Sequence, residues 1–204
     1  MAIDATGLSR ALRDVASDLT ALGRSFALVG GLAVSARAEI RFTRDVDLAV
    51  AVTDDADAEQ LVLALKGLSY QVRATVEQDA VGRLATVRLL SPAEVKVDLL
   101  FASSGLEAET VARAEWIEQG AGKLPVARAE ELVAMKVLSA DERRLQDHLD
   151  FRSLIIVGSV DLDAVRGNLR LIEARGFARR QDLQAKWGAQ LSSWNSFAFS
   201  KHRR

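Results

Sequence analysis

The sequence predicts an α/β N-terminal half followed by an α-helical C-terminal region. Three observations carry that prediction. Five short apolar segments with period-two patterning lie between Phe26 and Phe101. Helical patterns separate the first three of them. From Arg128 onward the pattern is wholly helical. The division leaves about 120 of the 204 residues in the first half and about 80 in the second.

Leu8, Leu12, Val15, Leu19 and Leu22 recur at spacings of three and four, which predicts a helix ending at Gly23. Phe26–Val29 is a short buried strand running into Gly30-Gly31, and Leu32–Glu39 is a helix. Asp45–Val52 is the second strand, and Thr53-Asp-Asp-Ala-Asp57 supplies N-cap residues for a helix to Leu68. Tyr70–Val76, Arg83–Leu89 and Glu94–Phe101 are three further strands, with turns at 78–82 and at Ser91-Pro92. Residues 107–115 are helical, and a short strand or loop passes through Trp116 and Pro125. Helices are expected over 128–140, 141–157, 161–174 and 178–194, with breaks at Gly158 and Gly176 and a loose tail from Ser196.

Composition sets the chemistry available. Hydrophobic residues make up 49% and charged residues 27%, an ordinary globular balance with material for a sizeable core. No apolar run has the length of a membrane span, and Met1-Ala-Ile-Asp-Ala-Thr6 has no signal-peptide pattern, so a cytoplasmic protein is expected. With no cysteine, disulfides and thiolate metal sites are excluded, and two histidines argue against a zinc enzyme built on histidine ligands. Any metal should be a hard cation held by carboxylates. Net charge is −1 but uneven: residues 151–204 carry ten Lys/Arg against four acids, +6, which leaves −7 for residues 1–150. A basic C-terminal part beside an acidic N-terminal part suits a polyanionic partner as well as it suits solvated helix faces.

Within this frame three carboxylates stand out. Asp45 and Asp47 share the face of a strand opposite Val46, Leu48, Val50 and Val52, roughly 7 Å apart. Asp98 sits with Lys96 on the face of a later strand opposite Val95, Val97, Leu99 and Phe101. Two or three carboxylates converging from neighbouring strands are what a magnesium pair needs. Gly30-Gly31 at a strand-to-helix junction lets backbone approach a phosphate at a helix N-terminus. Thr43 adds a hydroxyl, and Arg41 and Arg44 are available to neutralise charge or to face solvent.

Gly30-Gly31, Thr43-Arg-Asp-Val-Asp47 and Asp98 in that order resemble the motif set of the polymerase-β-type nucleotidyltransferase superfamily. Ala129-Glu-Glu-Leu-Val-Ala-Met-Lys136 and Arg143-Arg-Leu-Gln-Asp147-His-Leu-Asp150 further resemble two helices of the AbiEii-type toxins of type IV toxin–antitoxin systems. Lys136 lies among Leu132, Val133, Met135, Val137 and Leu138, so its ammonium must snorkel out or meet an anion.

The resemblance implies a mixed sheet flanked by helices in a nucleotidyltransferase domain, residues 1–125. It implies a helical domain, residues 126–204, that completes the active site and binds the acceptor. It implies Asp45, Asp47 and Asp98 as Mg²⁺ ligands (Mn²⁺ in its place), with Lys136 and Asp147 also catalytic. Gly30, Gly31, Thr43, Arg44 and Lys136 would bind the NTP. Asp150 is open between a structural and a site role. NMP would pass from NTP to an acceptor, most often a tRNA 3′ end, and a cognate antitoxin is expected. A monomer with no membrane association is expected. Arg and Lys side chains in 166–204 suit RNA phosphates, while Trp187 and Trp194 at helix spacing read as core. Two other readings stand beside this one. The acceptor is a small-molecule antibiotic, for which acids at 107–118 would furnish a pocket, or the chain is a catalytically weak binding module.

Overall fold

In the computed structural model, residues 5–119, 122–141, 144–157 and 159–201 are described, so Arg143 and Gly158 lie outside the described residues. Helix α1 (Ala5–Ala21) leads into β1 (Phe26–Val29), α2 (Gly30–Arg37) and β2 (Asp45–Val50). Then follow α3 (Asp55–Gly67), β3 (Gln71–Gln78), β4 (Arg83–Leu90) and β5 (Lys96–Leu100). Helix α4 (Glu107–Ala112) precedes a hairpin of β6 (Glu115–Gln119) and β7 (Gly122–Val126). Four helices close the chain: α5 (Ala129–Ser139), α6 (Leu145–Val157), α7 (Leu162–Ala174) and α8 (Leu183–Lys201).

The strands form one mixed seven-stranded sheet in the order β3-β4-β5-β2-β1-β7-β6. Parallel pairing of β2 with β5 sets Asp47 directly opposite Asp98 and Asp45 opposite Lys96. Antiparallel pairing of β4 with β5 sets Arg88 opposite Asp98, and that of β1 with β2 sets Val29 opposite Asp47. The period of two explains which side chains reach the core. Val46, Leu48, Val97 and Leu99 are fully buried, and the polar residues between them face the other way. The same core runs from Leu12, Val15 and Leu19 of α1 through the sheet to Leu132, Val137, Phe151, Leu169 and Trp187 of the helices. Phe151 and Trp187 meet edge to face at 5.8 Å, fastening α6 to α8.

Several boundaries differ from the sequence expectation, each for a local reason. The 107–115 helix ends at Ala112 and Glu115 opens β6, so the stretch through Trp116 and Pro125 is a full hairpin. Pro125 is tolerated there because β7 meets β1 only at Leu28 opposite Val126. The last helix begins at Leu183 instead of 178, because Arg179 and Arg180 adopt left-handed backbone (φ 54° and 60°). The Asp182 carboxylate then caps it by accepting from the Ala185 N–H. Helix α5 stops at Ser139, since Ala140 is extended, and α6 starts at Leu145 instead of 141. The break at Gly176 holds, with φ +82°. The backbone past Ser196 is helical to Lys201, a segment without Gly or Pro to end it. Among the described residues no helix is long and apolar enough to cross a membrane.

Candidate active site

A cleft of about 560 Å³ opens over the C-terminal end of β1 and the polar face of β2 and β5, within the range of small-ligand sites. Gly30, Asp47, Asp98, Arg88, Lys136 and Asp147 all line it. The sheet thus contributes one wall and the α5–α6 pair another.

The glycines are demanded by space. Gly30 has φ +61°, and a Cβ there would stand 2.6 Å from Asp47 Cγ and overlap its Oδ2. A Cβ on Gly31 would come within 2.6 Å of Arg41 Nη2 and 2.9 Å of Thr43 Oγ1. The backbone turn therefore lies against the Asp47 carboxylate on one side and against a guanidinium and a hydroxyl on the other. Helix α2 starts at this turn, and its N-cap, Val29, offers no side-chain acceptor. The first N–H groups of α2 are thus suited to an anion.

Asp47 carries the electrostatic signature of the sheet wall. Burial, then the charges of Asp98 and Asp45, push its carboxyl up to about 6. Lys136 and Lys96 pull the other way, less strongly. Asp98 is 8% exposed and receives a fork from Arg88, Nε to Oδ1 at 2.9 Å and Nη2 to Oδ2 at 2.9 Å. Asp45 pairs with Lys96 at 2.5 Å. With Asp45 and Asp98 each turned to a basic partner, no three His, Cys, Asp or Glu side chains among the described residues form a ready metal cluster. The donor set is nevertheless all oxygen, and burial together with the neighbouring Asp98 and Asp45 charges raises the Asp47 carboxyl to about 6. Such a set fits a hard divalent cation, whose charge would offset both the burial and the repulsion that raise Asp47.

The helical wall is a closed network. Lys136 Nζ lies 2.8 Å from Asp147 Oδ1 and 2.7 Å from Asp150 Oδ2. Asp150 is 1% exposed and also takes Arg41, through Nε at 2.7 Å and Nη2 at 2.9 Å, while Gln146 donates to it at 2.9 Å. One buried carboxylate thus holds two cations, from α5 and from the segment between α2 and β2, at the mouth of the glycine turn.

Of the residues singled out in the sequence, Gly30, Gly31, Thr43, Asp45, Asp47, Asp98, Lys136 and Asp147 come together in this cleft. Arg44 is not among the lining residues. Its guanidinium stacks 5.2 Å above the Phe42 ring, and Arg41, three residues earlier, faces inward instead. Arg88 was not read from the sequence, although a charge between buried Val87 and Leu89 is the same signal that marks Asp98. Ser103, Ser104 and Arg179 also reach the cleft. The Glu107 carboxylate accepts from the N–H groups of Ser103, Ser104 and Gly105 and fixes that loop.

Comparisons with known proteins bear on the fold and the family. An antigenic nucleotidyltransferase-like protein from Paracoccidioides brasiliensis superposes with a TM-score of 0.52 at 18% identity, over 89% of this chain and 92% of that one. ANT(2″)-Ia in complex with adenylyl-2″-tobramycin superposes with a TM-score of 0.51 at 14% identity, over 82% of this chain and 98% of that one. At these identities the likeness concerns the fold. No curated protein matches at a significant level. The family model described as "Nucleotidyl transferase AbiEii toxin, Type IV TA system" matches residues 10–197. The chain belongs to the AbiEii nucleotidyltransferase toxin family and is a nucleotidyltransferase.

Proposed function

We propose that this chain transfers an NMP from an NTP to the 3′ end of tRNA, and that this makes it the toxin of a toxin–antitoxin pair. The observation that carries the reading is the direct opposition of Asp47 and Asp98 across β2 and β5 beneath the Gly30-Gly31 turn. Residues 1–125 would supply the metal ligands and the phosphate turn, and residues 126–204 the cationic wall and the acceptor surface.

Asp45, Asp47 and Asp98 would hold Mg²⁺ or Mn²⁺. When bound, the metal supplies charge neutralisation at the α-phosphate and the departing pyrophosphate. The rest falls to side chains. Backbone N–H groups at Gly30-Gly31 and the Thr43 hydroxyl receive phosphate oxygens. Lys136 and Arg41, already fixed by Asp150 and Asp147, grip the triphosphate without having to be ordered at the moment of binding. The acceptor hydroxyl oxygen bonds to the α-phosphorus and its proton is lost to water, the bond from the α-phosphorus to the bridging oxygen breaks, and pyrophosphate leaves.

The acceptor is argued from charge. A cationic antibiotic would want free acids near the site. The acids of 107–118 are mostly spent internally. Glu107 holds its loop, Glu109 pairs with Arg175, and Glu115 pairs with Arg37. Arg144 and Arg179, by contrast, line the cleft, next to a C-terminal part of net +6. A polyanion suits that wall better. A cognate antitoxin and a cytoplasmic, monomeric state belong to the same proposal.

The test is incubation with α-labelled NTPs, Mg²⁺, total tRNA and an aminoglycoside in one mixture. The reading expects label at the tRNA 3′ end and a loss of about a thousandfold in Asp47→Ala. Label on the antibiotic and none on tRNA would overturn the acceptor. Full labelling by Asp47→Ala would overturn the site.

A further inference from the structure

Two of the three sheet carboxylates carry a resident cation. Arg88 and Asp98 are register partners on β4 and β5, so the strand ladder itself sets the fork. The guanidinium occupies both oxygens of Asp98, at 2.9 Å each. A carboxylate has a limited set of lone pairs, and a divalent cation needs those that face the cleft. The fork and the ion therefore compete for Asp98. Like charge adds to the competition, since a guanidinium cannot remain at hydrogen-bond distance beside a bound dication at low cost. Arg88 has somewhere to go. Its side chain is 45% exposed and lines the same cleft as Gly30, Thr43 and Lys136. An NTP brings several negative charges into that space.

We propose that Arg88 is the resident counterion of Asp98, which a divalent cation displaces, and that the released guanidinium then pairs with the incoming triphosphate. The proposal rests on Asp45, Asp47 and Asp98 being the metal ligands. Arg88 is in this account a positioning residue for Asp98 and, once released, a ligand of the nucleotide. It offsets part of the repulsion among the carboxylates before substrate arrives, and metal and nucleotide entry become coupled through one side chain. The coupling has an observable sign. Removing the guanidinium removes a competitor of the metal and a partner of the nucleotide.

The experiment titrates Mn²⁺ into metal-free full-length protein without nucleotide, following free Mn²⁺ by electron paramagnetic resonance. Wild type is compared with Arg88→Met, Arg88→Gln and Arg88→Lys, with circular dichroism to check folding. Arg88→Gln keeps a polar donor beside Asp98 should the Met variant not fold. Arg88→Met and Arg88→Gln should bind Mn²⁺ about tenfold more tightly, the scale of one charge-assisted pair at a half-exposed site. Arg88→Lys should fall between, since an ammonium cannot form the fork. With Mn²⁺ saturating, a non-hydrolysable NTP should bind Arg88→Met about tenfold more weakly. General damage to the fold would weaken both. Unchanged or weaker Mn²⁺ binding in both Met and Gln variants overturns the proposal, because Arg88 would then support the metal site. Failure of the underlying reading looks different. Wild type and Asp47→Asn would then bind Mn²⁺ equally or not at all, and the proposal would fall with it.

Discussion

The two walls of the cleft are built on opposite principles. On the sheet wall, charges are placed by strand register and left partly open. Asp45 and Lys96 are each about a third exposed, and Arg88 stands 45% exposed against Asp98. On the helical wall, Asp150 is 1% exposed and holds Lys136, Arg41 and Gln146 together. In the proposed account the first arrangement exchanges partners. The second is built to stay put. A nucleotidyl transfer needs both, one wall on which ions come and go and one that offers a fixed grip to the phosphates.

The largest expected effect that separates the walls is on stability. Asp150→Asn leaves Lys136 and Arg41 without their shared buried anion and should cost about 3 kcal/mol. Asp45→Asn removes only an exposed pairing with Lys96 and should cost under about 1 kcal/mol. Urea denaturation of both variants without metal checks this. Equal losses would mean that the sheet wall is as fixed as the helical one and would remove the distinction.

A smaller effect concerns pH. The folded protein holds the Asp47 proton up to about pH 6, while the unfolded chain releases it near the ordinary 3.8. Between those values the folded state binds more protons, so stability falls as pH rises through this window and stays lower above it. Asp47→Asn abolishes that part of the slope. Denaturation midpoints measured in chelator at pH 5 and pH 8 should show the Asn variant gaining on wild type at the higher pH. If wild type gains instead, burial and the neighbouring carboxylates do not raise Asp47 as their positions imply.

How far the sequence disclosed this site follows from the same contrast. Phe26–Val29 was legible to the residue because a short apolar run ended at Gly30-Gly31, and Asp45, Asp47 and Asp98 were legible because a period of two assigns each side chain a face. The mixed sheet and helical C-terminal region follow from the same patterns. Arg88 carried the same signal as Asp98 but escaped because its meaning depends on the register that sets it opposite Asp98 across the β4–β5 hairpin. Lys136 was noticeable as a cation in an apolar helix, but which anion meets it depends on how α6 packs on α5. The structure shows that it takes both Asp147 and Asp150. Arg41 and Arg44 looked alike in sequence. Arg41 pairs with the buried Asp150 carboxylate, whereas Arg44 stacks on Phe42. The hairpin of β6 and β7 was obscured by Pro125, which strand reasoning excludes from interior positions unless ladder pairing there is sparse. Trp187 is core as its spacing suggested, at 2% exposure, while the Trp194 side chain lies outside the described residues.

The most direct measurement is a crystal structure of the protein soaked with Mn²⁺ and a non-hydrolysable NTP, with anomalous data collected at the manganese edge. The account predicts manganese peaks among Asp45, Asp47 and Asp98, the triphosphate against Gly30-Gly31, and Lys136 and Arg41 on its oxygens. Manganese bound away from these carboxylates, or a triphosphate with no contact to Lys136, would contradict it.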